Sequence, residues 1–406
     1  MKQQDKQIKK VALAYSGGLD TSVIIRWLIE NYQCTVVAFI ADLGQGEEVK
    51  PIREKALKTG AVKAVVKDLR QEFVNDFIIP ALKANLLYEG RYPMATSLGR
   101  PLIAKGLIET AQEENADAIA HGCTGKGNDQ VRFEITTFAL APHIKNLAPV
   151  REWELKTREE EIEYAKRHNI PVPVTKKKPY SLDRNLYGIS IECGILEDPW
   201  IEPPADTYFT VLPIEKTPKR PIEIIVGFEE GVPLSLNNKK MTTLKIIEEL
   251  AVIGGKYGIG RIDLVENRLV GIKSREVYEA PAATILMAAH KELESITLDR
   301  ETMHFKDMIM PRYAELVYYG QWYTPLRESL AAFVDSTQKY VTGEVRLKLF
   351  QGQCTPVGRR SPYSLYQKSL ATYDVGDMFD HTAAKGFITI FGLPMKVQAL
   401  ARRKKK

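Results

Sequence analysis

Nine consecutive residues, Ala14-Tyr15-Ser16-Gly17-Gly18-Leu19-Asp20-Thr21-Ser22, bring small hydroxyl side chains together with two adjacent glycines. Such residues bind anions. Gly17 and Gly18 let a charged oxygen approach the main chain with no Cβ in the way, and Ser16, Thr21 and Ser22 add hydroxyl donors. The stretch follows Val11-Ala12-Leu13-Ala14, which reads as a buried strand. It precedes Val23-Ile24-Ile25 and Trp27-Leu28-Ile29, the apolar side of a helix starting near Asp20. The turn therefore falls at a helix N-terminus, where unpaired backbone N–H groups carry partial positive charge. It is a cradle for phosphate.

A loop serving γ-phosphate transfer would carry G-x-x-x-x-G-K-[ST], and no stretch of the chain supplies it. The SGG-x-D-[ST]-S pattern instead resembles the pyrophosphate loop of enzymes that split ATP between its α and β phosphates. Asp20 taken alone reads equally well as a helix cap, for which aspartate is favoured.

A second turn, His121-Gly122-Cys123-Thr124-Gly125-Lys126-Gly127-Asn128-Asp129-Gln130-Val131-Arg132-Phe133-Glu134, also follows an apolar strand and opens a helical pattern. Thr124, Asn128 and Asp129 set a hydroxyl, an amide and a carboxylate close together. That mix suits a zwitterion, with the carboxylate taking an ammonium group and the other two taking carboxylate oxygens. A polar loop capped by Asn128 is the plainer alternative. A third cluster, Arg91-Tyr92-Pro93-Met94-Ala95-Thr96-Ser97-Leu98-Gly99-Arg100-Pro101, could cap a helix through Thr96 or Ser97. With Tyr92 and Arg100 it could equally hold an amino-acid carboxylate. Gly254-Gly255-Lys256-Tyr257-Gly258-Ile259-Gly260 follows no strand of a βαβ unit and reads as a helix end. No metal site is assigned, because His143, His168, His290, His304 and His381 are scattered.

The elements that must position these turns change character along the chain. From Val11 to about Val150, apolar strands (Thr35 to Leu43, Ala61 to Val66, Asp117 to Ala120, Ile144 to Val150) alternate with helical stretches (Glu47 to Thr59, Phe73 to Leu87, Leu98 to Glu114). This α/β rhythm predicts a parallel sheet covered on both faces, with the loops after Ala14, Ile40 and Ala120 meeting on one edge. Thr157-Arg158-Glu159-Glu160 predicts a capping box opening a helix to about His168, and Ile170-Pro171-Val172-Pro173-Val174 a linker. Beyond it the pattern is α+β. Strands are expected at Gly188 to Cys193, Ile222 to Phe228, Val232 to Leu236, Arg261 to Val265 and Leu269 to Lys273, the last two joined by Asn267-Arg268. Further strands are expected at Glu344 to Phe350 and Gln353 to Val357. Helices are expected at Thr242 to Ile253, Ala282 to Leu293, Lys306 to Tyr318 and Pro325 to Val334. The division is 1–170, 171–365 and 366–406.

Composition is that of a globular protein, with 44% hydrophobic and 27% charged residues. No apolar run approaches the roughly 20 residues of a membrane span, and Met1 to Lys10 lacks the apolar core of a signal peptide. The net charge of +6 falls almost wholly on the tail Arg402, Arg403, Lys404, Lys405 and Lys406, so the body has no basic stripe for nucleic acid. Four separated cysteines form no C-x-x-C pair, which argues against zinc or a disulfide framework and fits a reducing cytoplasm.

With AYSGGLDTS, ADLGQ, RYPMATSLGRP, HGCTGKGNDQVRFE, GRIDLVENRLVGIKSREVYEAP and ELVYYGQWYTPL in this order, the chain closely resembles the argininosuccinate synthase family from about Val11 to beyond Leu365. The resemblance implies a pyrophosphate-loop ATP-binding domain, then a synthetase domain, then a C-terminal segment that helps hold a tetramer. It implies ligation of citrulline to aspartate, with AMP and pyrophosphate released and Mg2+ accompanying ATP. It places Ala14, Tyr15, Ser16, Gly17, Gly18, Leu19, Asp20, Thr21, Ser22, Ala41 and Gly122 around ATP. Thr124, Asn128 and Asp129 would contact aspartate. Tyr92, Ser97, Asn128, Arg132, Ser181, Ser190, Glu266 and Tyr278 would contact citrulline. No residue is implied as a covalent nucleophile. The family often has alanine where this chain has Gly99, which would loosen that helix slightly. Two rival readings have less support. An enzyme activating RNA bases would want paired cysteines and a basic groove, and a non-catalytic nucleotide sensor would not need the turn at Thr124 to Asp129.

Overall fold

Apolar runs separated by amphipathic stretches form a five-stranded parallel sheet in the first part of the chain. The computed structural model describes residues 7–46, 49–171, 180–374 and 376–403. Glu47 and Glu48 of one expected helix, residues 172–174 of the expected linker and the last three lysines lie outside them. The strands are β1 (Lys10–Ala14), β2 (Thr35–Asp42), β3 (Lys63–Asp68), β4 (Ala118–Ala120) and β5 (Lys145–Leu147), in the order β3-β2-β1-β4-β5. All neighbours are parallel, with Ala14 beside Phe39 and Leu13 beside Ala120. Residues Val36 to Ile40 of β2 are buried without a break, as a sheet covered on both faces requires. The chain runs outward from β1 to β3, then crosses to β4 on the opposite side of β1. That reversal opens a crevice beyond the carboxyl ends of β1 and β4, where the two glycine-rich turns lie.

The helix expected at Phe73 to Leu87 is broken. It consists of Arg70–Phe73, a wide π turn at Val74–Ile78 and a short helix Ile79–Lys83. Pro80 cannot donate a backbone hydrogen bond, and the wide turn beside it absorbs the missing donor. The helix Ala95–Glu113 starts three residues earlier than expected and packs against β1 and β2. The box at Thr157 forms as expected: its side chain accepts from the Glu160 N–H, and the Glu160 carboxylate accepts from the Thr157 N–H.

Two antiparallel sheets follow. One has the order β11-β12-β7-β6, from β6 (Ser181–Asn185), β7 (Gly188–Glu192), β11 (Arg261–Asn267) and β12 (Lys273–Glu279). The other has the order β10-β9-β8-β13-β14, from β8 (Ile222–Glu229), β9 (Val232–Leu236), β10 (Lys239–Lys240), β13 (Gly343–Phe350) and β14 (Gln353–Arg360). The expected strand Leu269 to Lys273 is a correction. Asn267 pairs with Lys273, so Arg268 to Ile272 form the hairpin loop. Gly271 at φ +90° turns the chain, and Arg268 N–H donates to the Ile272 carbonyl at 2.8 Å. The apolar Val270 and Ile272 are exposed on this loop, while the polar run Arg275 to Glu279 is buried.

One apolar core runs from Phe39 and Phe73 beneath the parallel sheet to Ile224, Leu286 and Tyr313 beyond it. A buried polar cluster also joins these parts. The His290 ring bonds the Asn85 amide at 2.8 Å and the Gln338 amide at 2.7 Å, Glu294 pairs with Lys306, and Lys306 donates to the Lys83 carbonyl at 2.6 Å. These parts all belong to the compact unit Met1–Tyr363. The second unit, Ser364–Lys406, carries the helices His381–Phe391 and Leu393–Arg403. None of their side chains is buried, and Phe387, Ile390, Phe391 and Leu393 stand exposed.

Candidate active site

The first turn is held open by its own hydroxyls. Gly17 takes φ +80°, and an added Cβ there would lie 3.1 Å from the Ile52 side chain. Ser16 bonds Thr21 at 3.1 Å and receives the Gly18 N–H at 3.3 Å, while Tyr15 bonds Ser22 at 3.0 Å. The helix is Leu19–Tyr32 and its cap is Gly18, so Asp20 is a first-turn carboxylate and not the cap. Burial, with the neighbouring Asp20 adding to it, pushes Glu161 up to about 8. Gly122, after β4, borders the cradle: a Cβ there would meet Thr21 Cγ2 at 3.1 Å and Ile24 Cδ1 at 3.2 Å. Ala41, near the end of β2, has its carbonyl taken by the Gln45 amide at 2.9 Å.

The second turn leads into the helix Asp129–Leu140, and Arg132 one turn later lies on the same side as Asn128. Both are buried, so Arg132 is not a solvent-facing cation. Asp129 accepts from Arg132 at 2.8 Å and from Arg100 at 2.8 Å, and Arg100 also pairs with Asp183 on β6. Burial works against the Asp129 charge, but the two guanidiniums hold its carboxyl below the usual range. Burial pushes Asp183 the other way. Asn128 donates to the Tyr318 hydroxyl at 2.8 Å and accepts from the Leu269 N–H at 2.9 Å, so the hairpin loop touches the turn. Thr124 is exposed at the rim.

Beyond Asn128 lies an aromatic cluster. Tyr92 stacks on Tyr278 with centroids 4.0 Å apart, and Tyr88 on Tyr318 at 3.5 Å. The Tyr278 and Tyr318 hydroxyls both donate to Glu266, a buried carboxylate on β11. Burial raises Glu266 above the usual carboxylate range, and the two hydroxyls oppose that shift. The Tyr92 hydroxyl accepts from the Thr96 N–H at 3.1 Å, and Thr96 bonds Ser190 at 2.9 Å. The Ser97 hydroxyl is buried with no hydrogen-bond partner among the described residues, and Pro101 has no N–H for the Ser97 carbonyl.

Tyr92, Asn128, Asp129, Arg132, Glu266 and Tyr278 thus form one connected network, to which Thr96 links Ser190. Ser181 lies apart at an exposed position on β6, paired with Glu192 and sharing a face with Asp183. Sequence reasoning missed Asp183, Tyr318 and the loop residue Leu269. Tyr318 and Leu269 each lie inside one of the family blocks, but nothing local marks Asp183.

Comparisons with known proteins place the chain in a family. Residues 10–171 match the Arginosuccinate synthase N-terminal HUP domain, and residues 180–398 the Arginosuccinate synthase C-terminal domain. Argininosuccinate synthase of Carboxydothermus hydrogenoformans is 57% identical over 97% of this chain and 98% of that protein. The proteins of the same name from Acetivibrio thermocellus and Pelotomaculum thermopropionicum are 57% and 55% identical, over 98% and 97% of this chain and 99% and 98% of theirs. Among solved structures, U34-tRNA thiolase NcsA from Methanococcus maripaludis with its [4Fe-4S] cluster is similar at 18% identity and a TM-score of 0.28, over 42% of this chain and 60% of that chain. From the paired domain matches and the near full-length relatives, the chain belongs to the argininosuccinate synthase family, ATP-dependent carbon–nitrogen ligases that join citrulline to aspartate in arginine biosynthesis.

Proposed function

We propose that this chain joins citrulline to aspartate by adenylating the ureido oxygen of citrulline. The observation that carries the reading is a glycine-rich phosphate cradle after β1 together with a turn after β4 whose residues join a carboxylate–guanidinium–tyrosine network. A ureido oxygen is a poor leaving group. Its attack on the α-phosphate, with departure of pyrophosphate, converts it to one that the aspartate amine can displace as AMP. The protein's part is positioning and charge stabilisation, with no covalent nucleophile.

In this reading residues 14–22, with Ala41 and Gly122, hold ATP. Thr124, Asn128 and Asp129 hold aspartate, its ammonium on Asp129. Arg132 receives the citrulline carboxylate, while Tyr92, Ser97, Asn128, Ser181, Ser190, Glu266 and Tyr278 surround the rest. The buried and otherwise unpartnered Ser97 hydroxyl supports its place there. Among the described residues no group of three or more His, Cys, Asp or Glu could hold a metal ion. Phosphate oxygens and water would supply most of the shell of a Mg2+ accompanying ATP, and the ion would neutralise triphosphate charge.

The division into 1–170, 171–365 and 366–406, a homotetramer and a cytoplasmic location complete the reading. The exposed apolar side chains of the C-terminal helices support association. Among the described residues no helix is long and apolar enough to cross a membrane, and neither a membrane nor a nucleic acid is proposed as partner. Purified protein should release pyrophosphate and AMP from ATP only when citrulline is present. Equal release without citrulline, or ADP as product, would reject the mechanism.

A further inference from the structure

The cradle lacks a lysine of its own, yet one reaches it from another element. Lys55 lies on the helix Val49–Thr59, and its ammonium donates to the Gly17 carbonyl at 2.6 Å. Ile52, almost one turn earlier, packs against Gly17 and fixes that helix against the turn. Gly17 accepts one of the three ammonium N–H groups, and two remain. Among the described residues Lys55 makes no ion pair with a carboxylate, in contrast to Lys63, Lys67 and Lys105. It is half-buried, and burial alone lowers its pKa. A partly desolvated cation without an anion is an unfavourable arrangement unless an anion arrives in use.

We propose that Lys55 is a pyrophosphate-binding residue, its ammonium held on the Gly17 carbonyl and its free N–H groups meeting the β- and γ-phosphates of ATP. The inference rests on the reading of the first turn as the ATP site. When the ureido oxygen forms its bond to the α-phosphorus, the bond from that phosphorus to the bridging oxygen breaks, and its electron pair leaves on pyrophosphate. Lys55 stays protonated throughout and stabilises the charge that accumulates on the leaving group. It does from a neighbouring helix what a loop-borne lysine does in other nucleotide sites.

The alternative is that Lys55 only braces the loop. Lys55→Gln keeps an N–H donor for Gly17 but removes the charge, and Lys55→Arg keeps both. Calorimetry on the full chain with inorganic pyrophosphate and with AMP separates the two roles. Loss of a charge-assisted contact should weaken pyrophosphate binding about tenfold or more in Lys55→Gln, leave AMP binding nearly unchanged, and be largely restored in Lys55→Arg. Unchanged pyrophosphate affinity overturns the proposal, and so does an equal loss for AMP. On the wild-type chain, pyrophosphate but not AMP should slow acylation of Lys55 by an amine-reactive reagent, read by mass spectrometry. Absence of that protection overturns it even where Lys55→Gln does not fold. Citrulline-dependent pyrophosphate release by the wild type tests the parent reading separately, so the two can fail independently.

Discussion

Asp129 carries two tasks that pull against each other. Its carboxylate is proposed to receive an ammonium group, and it already balances the guanidiniums of Arg100 and Arg132. Asp129→Ala would leave those guanidiniums without their shared anion, so it should cost stability on the order of 3 kcal/mol as well as activity. Asp129→Asn keeps hydrogen-bond acceptance and shape. It should raise the aspartate KM about tenfold or more through loss of a charge-assisted bond, while citrulline-dependent pyrophosphate release persists. An unchanged KM would remove Asp129 from the aspartate site, and urea denaturation of both variants checks the stability difference. At this scale the glycine turns were readable because their chemistry is local: hydroxyls, glycines and a carboxylate within a few residues. Asp183 was not readable, because its meaning comes from Arg100, which lies 83 positions earlier in the chain. Glu266 in isolation looks like a hairpin residue, and only folding buries it under two tyrosine hydroxyls.

The helix Ala95–Glu113 ties the proposed ligand sites to the sheet. It bears Thr96, Ser97 and Arg100, and it packs on β1 and β2 at one stretch and on β6 and β7 at another. Its close approach depends on small residues. A Cβ at Gly106 would lie 2.6 Å from the Phe39 ring, and one at Gly99 would lie 3.1 Å from Leu43. Gly106→Ala should therefore destabilise the protein by about 1–3 kcal/mol through overpacking. A thermal melt with no downward shift would contradict the tight contact. The Gly99 contact also adds a packing reason to the helix-propensity effect expected there. The parallel sheet was legible from alternating apolar runs, because strands buried on both faces write their burial directly into composition. The hairpin was misread for the same reason. Its loop carries the apolar Leu269, Val270 and Ile272, whereas β12 buries Arg275, Glu276 and Glu279 through ion pairs and backbone contacts. Periodicity cannot show a charge that is buried with its partner.

Across the whole molecule, the His290 cluster joins Lys83 and Asn85, which lie in the chain between the first glycine-rich turn and Tyr92, to helices Pro281–Thr297 and Arg300–Tyr318 and to Gln338. Burial lowers His290 to about 4; Glu294 opposes the shift and Lys306 and Lys83 add to it. Asp335, paired with Lys83, completes the charges around it. A ring whose folded pKa lies below its unfolded value stabilises the fold fully above about pH 6.5. That contribution is lost as pH falls through about 4, at most about 3 kcal/mol for a shift of this size. His290→Gln should flatten this part of the stability profile, and an equally steep acid loss in the variant would place the titration elsewhere. Such a cluster was beyond sequence reading, since its members span Lys83 to Gln338 and no local pattern links them. The spread of the proposed site along the chain has a further result during synthesis. The glycine bend after β1 leaves the ribosome early, but Glu266, Tyr278 and Tyr318 emerge nearly 250 to 300 positions later. Because Phe39 and Phe73 share one apolar core with Ile224, Leu286 and Tyr313, the sheet that carries the bend gains its full packing only after those later residues have emerged.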